Sequence, residues 1–107
     1  METTVSKEDY LKAIAEIASE GEPVIPATLG RWLDVTPAAV TMALRRLQKD
    51  GLAAMTTGGL VQLTRPGAEI ARRIRFRHHL VERMLSEMFG MPWYKVHDEA
   101  ERLEHAV

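Results

Sequence analysis

Residues 35–64, VTPAAVTMALRRLQKDGLAAMTTGGLVQLT, constrain the fold more than any other stretch. Thr36 is a good N-cap, and Pro37 fits the first helical position, where a backbone N–H would have no intrahelical partner anyway. Val40, Leu44 and Leu47 then recur at helical spacing until Gly51 ends the helix. Directly afterwards two short runs flank Gly58-Gly59, the pattern of a β-hairpin. A helix delimited at both ends and followed at once by a two-stranded ribbon leaves few architectures open.

The flanking segments narrow them further. In SKEDYLKAIAEIASEG, Ser6 and Asp9 form a capping-box pattern, and Tyr10, Ile14, Ile17 and Ala18 repeat as an inward stripe up to Gly21. EPVIPA is a proline-punctuated connector. ATLGRWLDV reads as a short helix with Leu29, Trp32 and Leu33 inward and no good N-cap residue before it. Thr64 caps a long helix, with Pro66 in its first turn, that runs to Gly90, and Pro92 opens a last helix. Short helix, tight turn, capped helix and two-stranded wing, in that order, spell a mainly α chain with an N-terminal winged helix-turn-helix. We set that domain at residues 1–72 and a helical segment at 73–107.

Cysteine is absent, so disulfides, thiolate metal sites and cysteine nucleophiles are excluded. No run is long enough to span a bilayer and METTVSKEDY is no signal peptide, which makes the cytoplasm the expected location, with no membrane partner. The net charge of −1 argues against nucleic acid, but its distribution argues for it. Residues 2–22 hold six acids against two lysines, whereas residues 65–83 hold six arginines against two acids.

In a helix-turn-helix the second helix lies in the major groove, its first turns facing base edges. The exposed positions there are Thr36, Ala38, Ala39, Thr41 and Met42, a sparse set that reads through hydroxyls and methyl groups. Arg45, Arg46 and Lys49 lie further along and suit phosphates. The plainer alternative is a solvated helix face.

The last helix, HDEAERLEHAV, adds a second chemistry. At about 100° per residue, His97, Glu101, Glu104 and His105 share one edge, beside an apolar arc of Val96, Ala100, Leu103 and Val107. The preceding helix offers His78 and Glu82 at i and i+4, and the first helix offers Asp9. Such an oxygen and imidazole set suits Mn²⁺, Fe²⁺, Co²⁺ or Zn²⁺. Singly, each residue has a duller role: Asp9 as the capping partner of Ser6, Glu82 as a surface partner of His78 or Arg83, His105 as a solvated end residue.

Taken together, SKEDYLKAI, VTPAAVTMALRRLQKDGL, LVQLTRPGAEIA, RHHLVERML and KVHDEAERLEH resemble, in order, the diphtheria-toxin-repressor-like metalloregulators, a family that includes iron-dependent repressors and manganese transport regulators. The resemblance implies a metal-dependent repressor that binds double-stranded promoter DNA as a homodimer and is not an enzyme. It makes residues 73–107 the start of a metal-binding and dimerisation domain. It implies a primary site of Asp9, Glu101, Glu104 and His105 and an ancillary site of His78, Glu82 and His97, loaded with Mn²⁺ or Fe²⁺. Asp9 and Glu101, where iron sensors typically place methionine and cysteine, resemble the manganese branch, while His97 resembles the iron branch. Manganese regulators often carry a carboxylate where this chain has Lys12. The family continues past the position of Val107, so the sequence reads as a truncated chain.

Three rivals stand beside this reading. A metallohydrolase would need a general base in a recognisable motif, and there is no HExxH. An interaction module would dock through Met84, Leu85, Met88, Phe89, Met91 and Trp93, which the family resemblance turns into a homodimer seam. A winged-helix regulator sensing a small organic ligand is the third. Metal dependence of DNA binding separates the regulator from all three.

Overall fold

The computed structural model describes residues 5–88, 90 and 93–106, with the backbone alone described at 93, 94, 105 and 106. Five helices and a hairpin follow one another: α1 Lys7–Ser19, α2 Pro26–Leu33, α3 Pro37–Lys49, β1 Ala53–Met55, β2 Val61–Leu63, α4 Arg65–Met88 and α5 Trp93–Ala106. They divide into two compact units, Met1–Arg72 and Arg73–Val107. Phe89, Met91, Pro92 and Val107, and the side chains of Trp93 and His105, lie outside what is described.

The first unit is a winged helix-turn-helix. Ser6 closes a full capping box with Asp9, and Thr36 accepts the N–H of Ala39 at 3.2 Å. Asp34 ends α2 in the left-handed region at φ 54°, which turns the chain sharply into α3. Aspartate tolerates that conformation better than most residues. The strands pair antiparallel, Ala53 opposite Leu63 and Met55 opposite Val61, and Val61 N–H donates to the Val24 carbonyl at 2.7 Å. That bond ties the connector to the wing. α1 packs on α2, α3 and β2, and α3 on α2 and β1. Leu11, Ile14, Ile17, Leu29, Val40 and Leu47 are fully buried at the centre.

Two inward assignments in this unit need correction. Ala18 is exposed, and the middle turn of α1 is instead covered almost all round, taking Leu11, Lys12 and Ala13 inside. Trp32 is 42 % exposed although it shares the arc of Thr28 and Leu29. Its position along the axis decides this, since the last turn of so short a helix overruns the core.

Thr64 does what its position predicts. Its hydroxyl accepts Gly67 N–H at 3.2 Å and donates to the Gly51 carbonyl at 2.7 Å. Gly67 is then pressed against the end of the hairpin: a Cβ there would sit 1.9 Å from the Leu52 carbonyl oxygen. That neighbour is backbone and cannot rotate away. Gly67→Ala is expected to cost about 3 kcal/mol, the upper end of overpacking penalties. Thermal unfolding checks this, and a melting curve unchanged from the parent would contradict it.

In the second unit Leu85, Val96 and Ala100 form the core, with Val81 packed against it. Here too the inward arc differs from expectation. Leu103 is 37 % exposed, while Glu104 is buried at 5 %. Val96, Ala100 and Glu104 follow one another at i, i+4 and i+8, so the carboxylate extends the apolar line toward α4 and leaves Leu103 to one side.

Candidate metal centre

His78 is where the second unit departs from an ordinary helix pair. On α4 it continues the line of Ala71, Ile74 and Leu85, all buried, so an imidazole occupies a core position at 4 % exposure. Its neighbours come from both helices. Nδ1 lies 2.8 Å from Glu104 Oε2 and 3.6 Å from Glu101 Oε1. Nε2 is in close contact with the Glu82 carboxylate and 3.3 Å from His97 Nδ1. His97 Nδ1 is 3.9 Å from Glu82 Oε1, which closes the ring of groups on the solvent side.

Burial is graded across this cluster. Glu104 is sealed, including its second oxygen, Oε1. The side chains of Glu82 and Glu101 are 32 % and 34 % exposed, and that of His97 is 66 % exposed. Three carboxylates around one buried imidazole bring up to three negative charges into a poorly solvated place, where unbalanced charge is costly. A divalent cation offsets that excess. Ligand atoms of His78, His97 and Glu101 lie within 4.8 Å of one another, so one ion can bridge both helices. The donors are imidazole nitrogen and carboxylate oxygen in a chain without cysteine, which fits Mn²⁺, Fe²⁺, Co²⁺ or Zn²⁺.

Of the seven ligands expected from the sequence, this geometry gathers His78, Glu82, His97, Glu101 and Glu104. Within it His78, of the expected ancillary set, lies against Glu104, of the expected primary set. Asp9 lies in the first turn of α1, where its Oδ2 accepts from Ser6. The side chain of His105 lies outside the description.

On the first unit the expected DNA-facing residues are displayed together. Thr36, Ala38, Thr41, Met42, Arg45, Arg46 and Lys49 are exposed and Ala39 is half-buried, while Val40, Leu44 and Leu47 turn inward. Thr41 donates its hydroxyl proton to the Pro37 carbonyl at 3.0 Å, so it offers lone pairs and a methyl group outward. Arg31 is not among the residues expected to face DNA. It lines an open cleft with Pro26, Val35, Pro37 and Thr41, which puts one more cation beside the start of α3. Its place in the last turn before the helix-turn-helix corner was the available signal. At the far end of α3, Lys7 pairs with Asp50. The hydrogen-bonded ammonium holds that carboxyl below the ordinary carboxylate range.

Comparison with known proteins agrees with both halves. The sequence profile of the iron-dependent repressor N-terminal DNA-binding domain matches residues 2–57, and that of the metal-binding and dimerisation domain matches residues 64–107. The chain is 35 % identical to the diphtheria toxin repressor of Corynebacterium jeikeium over 100 residues, 94 % of this chain and 42 % of the relative. It is 33 % identical to the iron-dependent repressor IdeR of Mycobacterium tuberculosis, covering 94 % of this chain and 44 % of that one. The chain thus spans less than half the length of these relatives. Among solved structures, a manganese-dependent transcriptional repressor in complex with manganese superposes at a TM-score of 0.86 with 36 % identity, covering 95 % of this chain and 47 % of the other. IdeR of T. acidophilum superposes at 0.88 with 31 % identity, covering 99 % and 50 %. The two profiles match in order and leave only residues 1 and 58–63 uncovered, so the chain belongs to the iron-dependent repressor family.

Proposed function

We propose that this chain is the DNA-binding and metal-sensing part of a cytoplasmic transcriptional repressor that grips promoter DNA when loaded with Mn²⁺ or Fe²⁺. The observation that carries the reading is the imidazole–carboxylate cluster around buried His78, present in a chain that also holds a winged helix-turn-helix. The solved relatives named for manganese and the curated relatives named for iron support the same metal class. The primary site takes Asp9, Glu101, Glu104 and His105, and the ancillary site takes His78, Glu82 and His97, with His78 shared through its contact with Glu104. Without an ion, Glu101 and Glu104 beside His78 repel as like charges, and a divalent cation reverses the sign of that term. Bound metal thereby favours the form that presents two winged helices to two half-sites.

On DNA, Thr36, Ala38, Ala39, Thr41 and Met42 meet base edges, and Arg45, Arg46 and Lys49 meet phosphates. The functional unit is a homodimer. Phe76, Leu80, Met84 and Met88 repeat every fourth residue on the outer side of α4 and are 67 %, 50 %, 40 % and 72 % exposed. That stripe is the seam we propose for a second copy. It replaces the seam expected from the sequence in one respect, since Leu85 is 5 % exposed and belongs to the unit's own core.

The test is metal dependence of DNA binding. Anisotropy titrations of promoter DNA from metal-uptake genes, run with a chelator and then with Mn²⁺ or anaerobic Fe²⁺, are expected to differ by roughly 5–150-fold in affinity, the usual range of allosteric coupling. Equal affinity with and without metal would remove the regulator reading and leave a constitutive DNA-binding module.

A further inference from the structure

The helix-turn-helix carries a cation to which neither the metal cluster nor the base-reading face gives a role. Arg31 stands in the last turn of α2, exposed to solvent. Lys7, Arg83 and Arg102 each hold an acid, Asp50, Glu87 and Glu99 in turn. Arg31 has no such partner among the described residues, so its guanidinium donors are open to a ligand. It lines a cleft of about 450 Å³ to which α2 contributes Pro26 and Ala27, and the corner and α3 contribute Val35, Pro37 and Thr41. Arg31 is the charged group among these lining residues. At about 100° per residue, Thr41 falls between Ala38 and Pro37 around α3, on the margin of the exposed face. Thr41 therefore has one cation on the same cleft and another, Arg45, a turn further along its own helix.

We infer that Arg31 is a backbone anchor for DNA, taking one phosphate at the mouth of this cleft. This rests on the reading of α3 as the helix that enters the major groove. In a helix-turn-helix the first helix crosses the sugar–phosphate backbone, and α2 is that helix here. A guanidinium meets a phosphate through two parallel N–H donors, which fixes orientation as well as neutralising charge. Phosphate contacts carry no sequence information themselves but set the register of the protein on the duplex. A phosphate held beside Thr41 thus determines how that threonine approaches its base edge.

A cation in the last turn of α2 also suits the negative end of that helix, a duller role that would show without DNA. Anisotropy on the full chain with saturating Mn²⁺ or anaerobic Fe²⁺, over a series of salt concentrations, compares the parent, Arg31→Ala and Arg31→Lys. The probe is a duplex selected on the parent from a random library, intact and with single phosphates replaced by uncharged methylphosphonate. Arg31→Ala is expected to bind about tenfold more weakly, with its log–log salt slope lower by about one unit and its thermal unfolding unchanged. Arg31→Lys should keep the slope, because the charge remains. One methylphosphonate position should weaken the parent and leave Arg31→Ala unaffected. Parental affinity and slope in Arg31→Ala would overturn the inference, as would a methylphosphonate loss that Arg31→Ala shares in full at every position. A changed preference at one base pair with the slope intact would also overturn it, making Arg31 a base reader. If the folded parent selects no duplex with either metal, the reading of α3 itself fails, and the inference falls with it by a distinct result.

Discussion

Glu104→Gln and His78→Ala are each expected to lower Mn²⁺ affinity by roughly a hundredfold or more, whereas His97→Ala lowers it by about tenfold. The ranking follows burial. His78 and Glu104 are 4 % and 5 % exposed and hold each other at 2.8 Å, so neither can be replaced by water when it is removed. The side chain of His97 is 66 % exposed at the solvent edge of the cluster, where water can take its place on an ion. Glu104→Gln is preferred to alanine because it keeps the shape and a hydrogen bond to His78 while deleting the charge. A folded Glu104→Gln protein with parental Mn²⁺ affinity would show that the buried carboxylate serves packing alone. An exposed His97 that proves as important as His78 would show that the ion sits at the rim of the cluster.

The second large effect concerns assembly. Leu80 lies in the middle of the exposed stripe that runs from Phe76 to Met88. Leu80→Glu would place an unpaired carboxylate at the centre of the proposed seam, a substitution expected to cost about 4 kcal/mol and thus to weaken dimerisation roughly a thousandfold. The side chain is half exposed in a single chain, so the fold should tolerate the change. Sedimentation at micromolar concentration is expected to show a dimer for the parent and a monomer for Leu80→Glu, with the variant's helical circular dichroism intact. Specific DNA binding should fall with it, since one winged helix reads only half a site. An unshifted dimer would move the seam to another face.

What could be read in advance was mostly what is written locally. Thr36, Pro37 and Gly51 delimit α3, Ser6 and Asp9 begin α1, and Thr64 begins α4, because each cap is satisfied within a few residues of itself. Periodicity gives the angle of a residue about a helix axis but says nothing of how far the core extends along it. Periodicity alone therefore puts Trp32 inside and gives α1 too narrow a buried face. The errors on α5 have a different cause. Binary patterning assigns glutamate to water and leucine to the core, and Glu104 and Leu103 reverse that rule because His78 stands opposite the carboxylate. A histidine in register with Ala71, Ile74 and Leu85 was the available sign that this core is polar at one point. The division of ligands into two sets came from family likeness. That His78 touches both sets depends on which faces of α4 and α5 meet, and ligand spacing along one helix does not contain that.

The central claim is that one cluster of ligands sets the affinity of the winged helix for DNA. Linkage makes this testable from the metal side, because the factor by which metal tightens DNA binding must equal the factor by which DNA tightens metal binding. The direct measurement is Mn²⁺ affinity by calorimetry, first for the protein alone and then for its complex with a DNA duplex selected from a random library in the presence of Mn²⁺. The account predicts that DNA tightens Mn²⁺ by the same factor that Mn²⁺ tightens DNA. Mn²⁺ affinity unchanged by saturating DNA would contradict it.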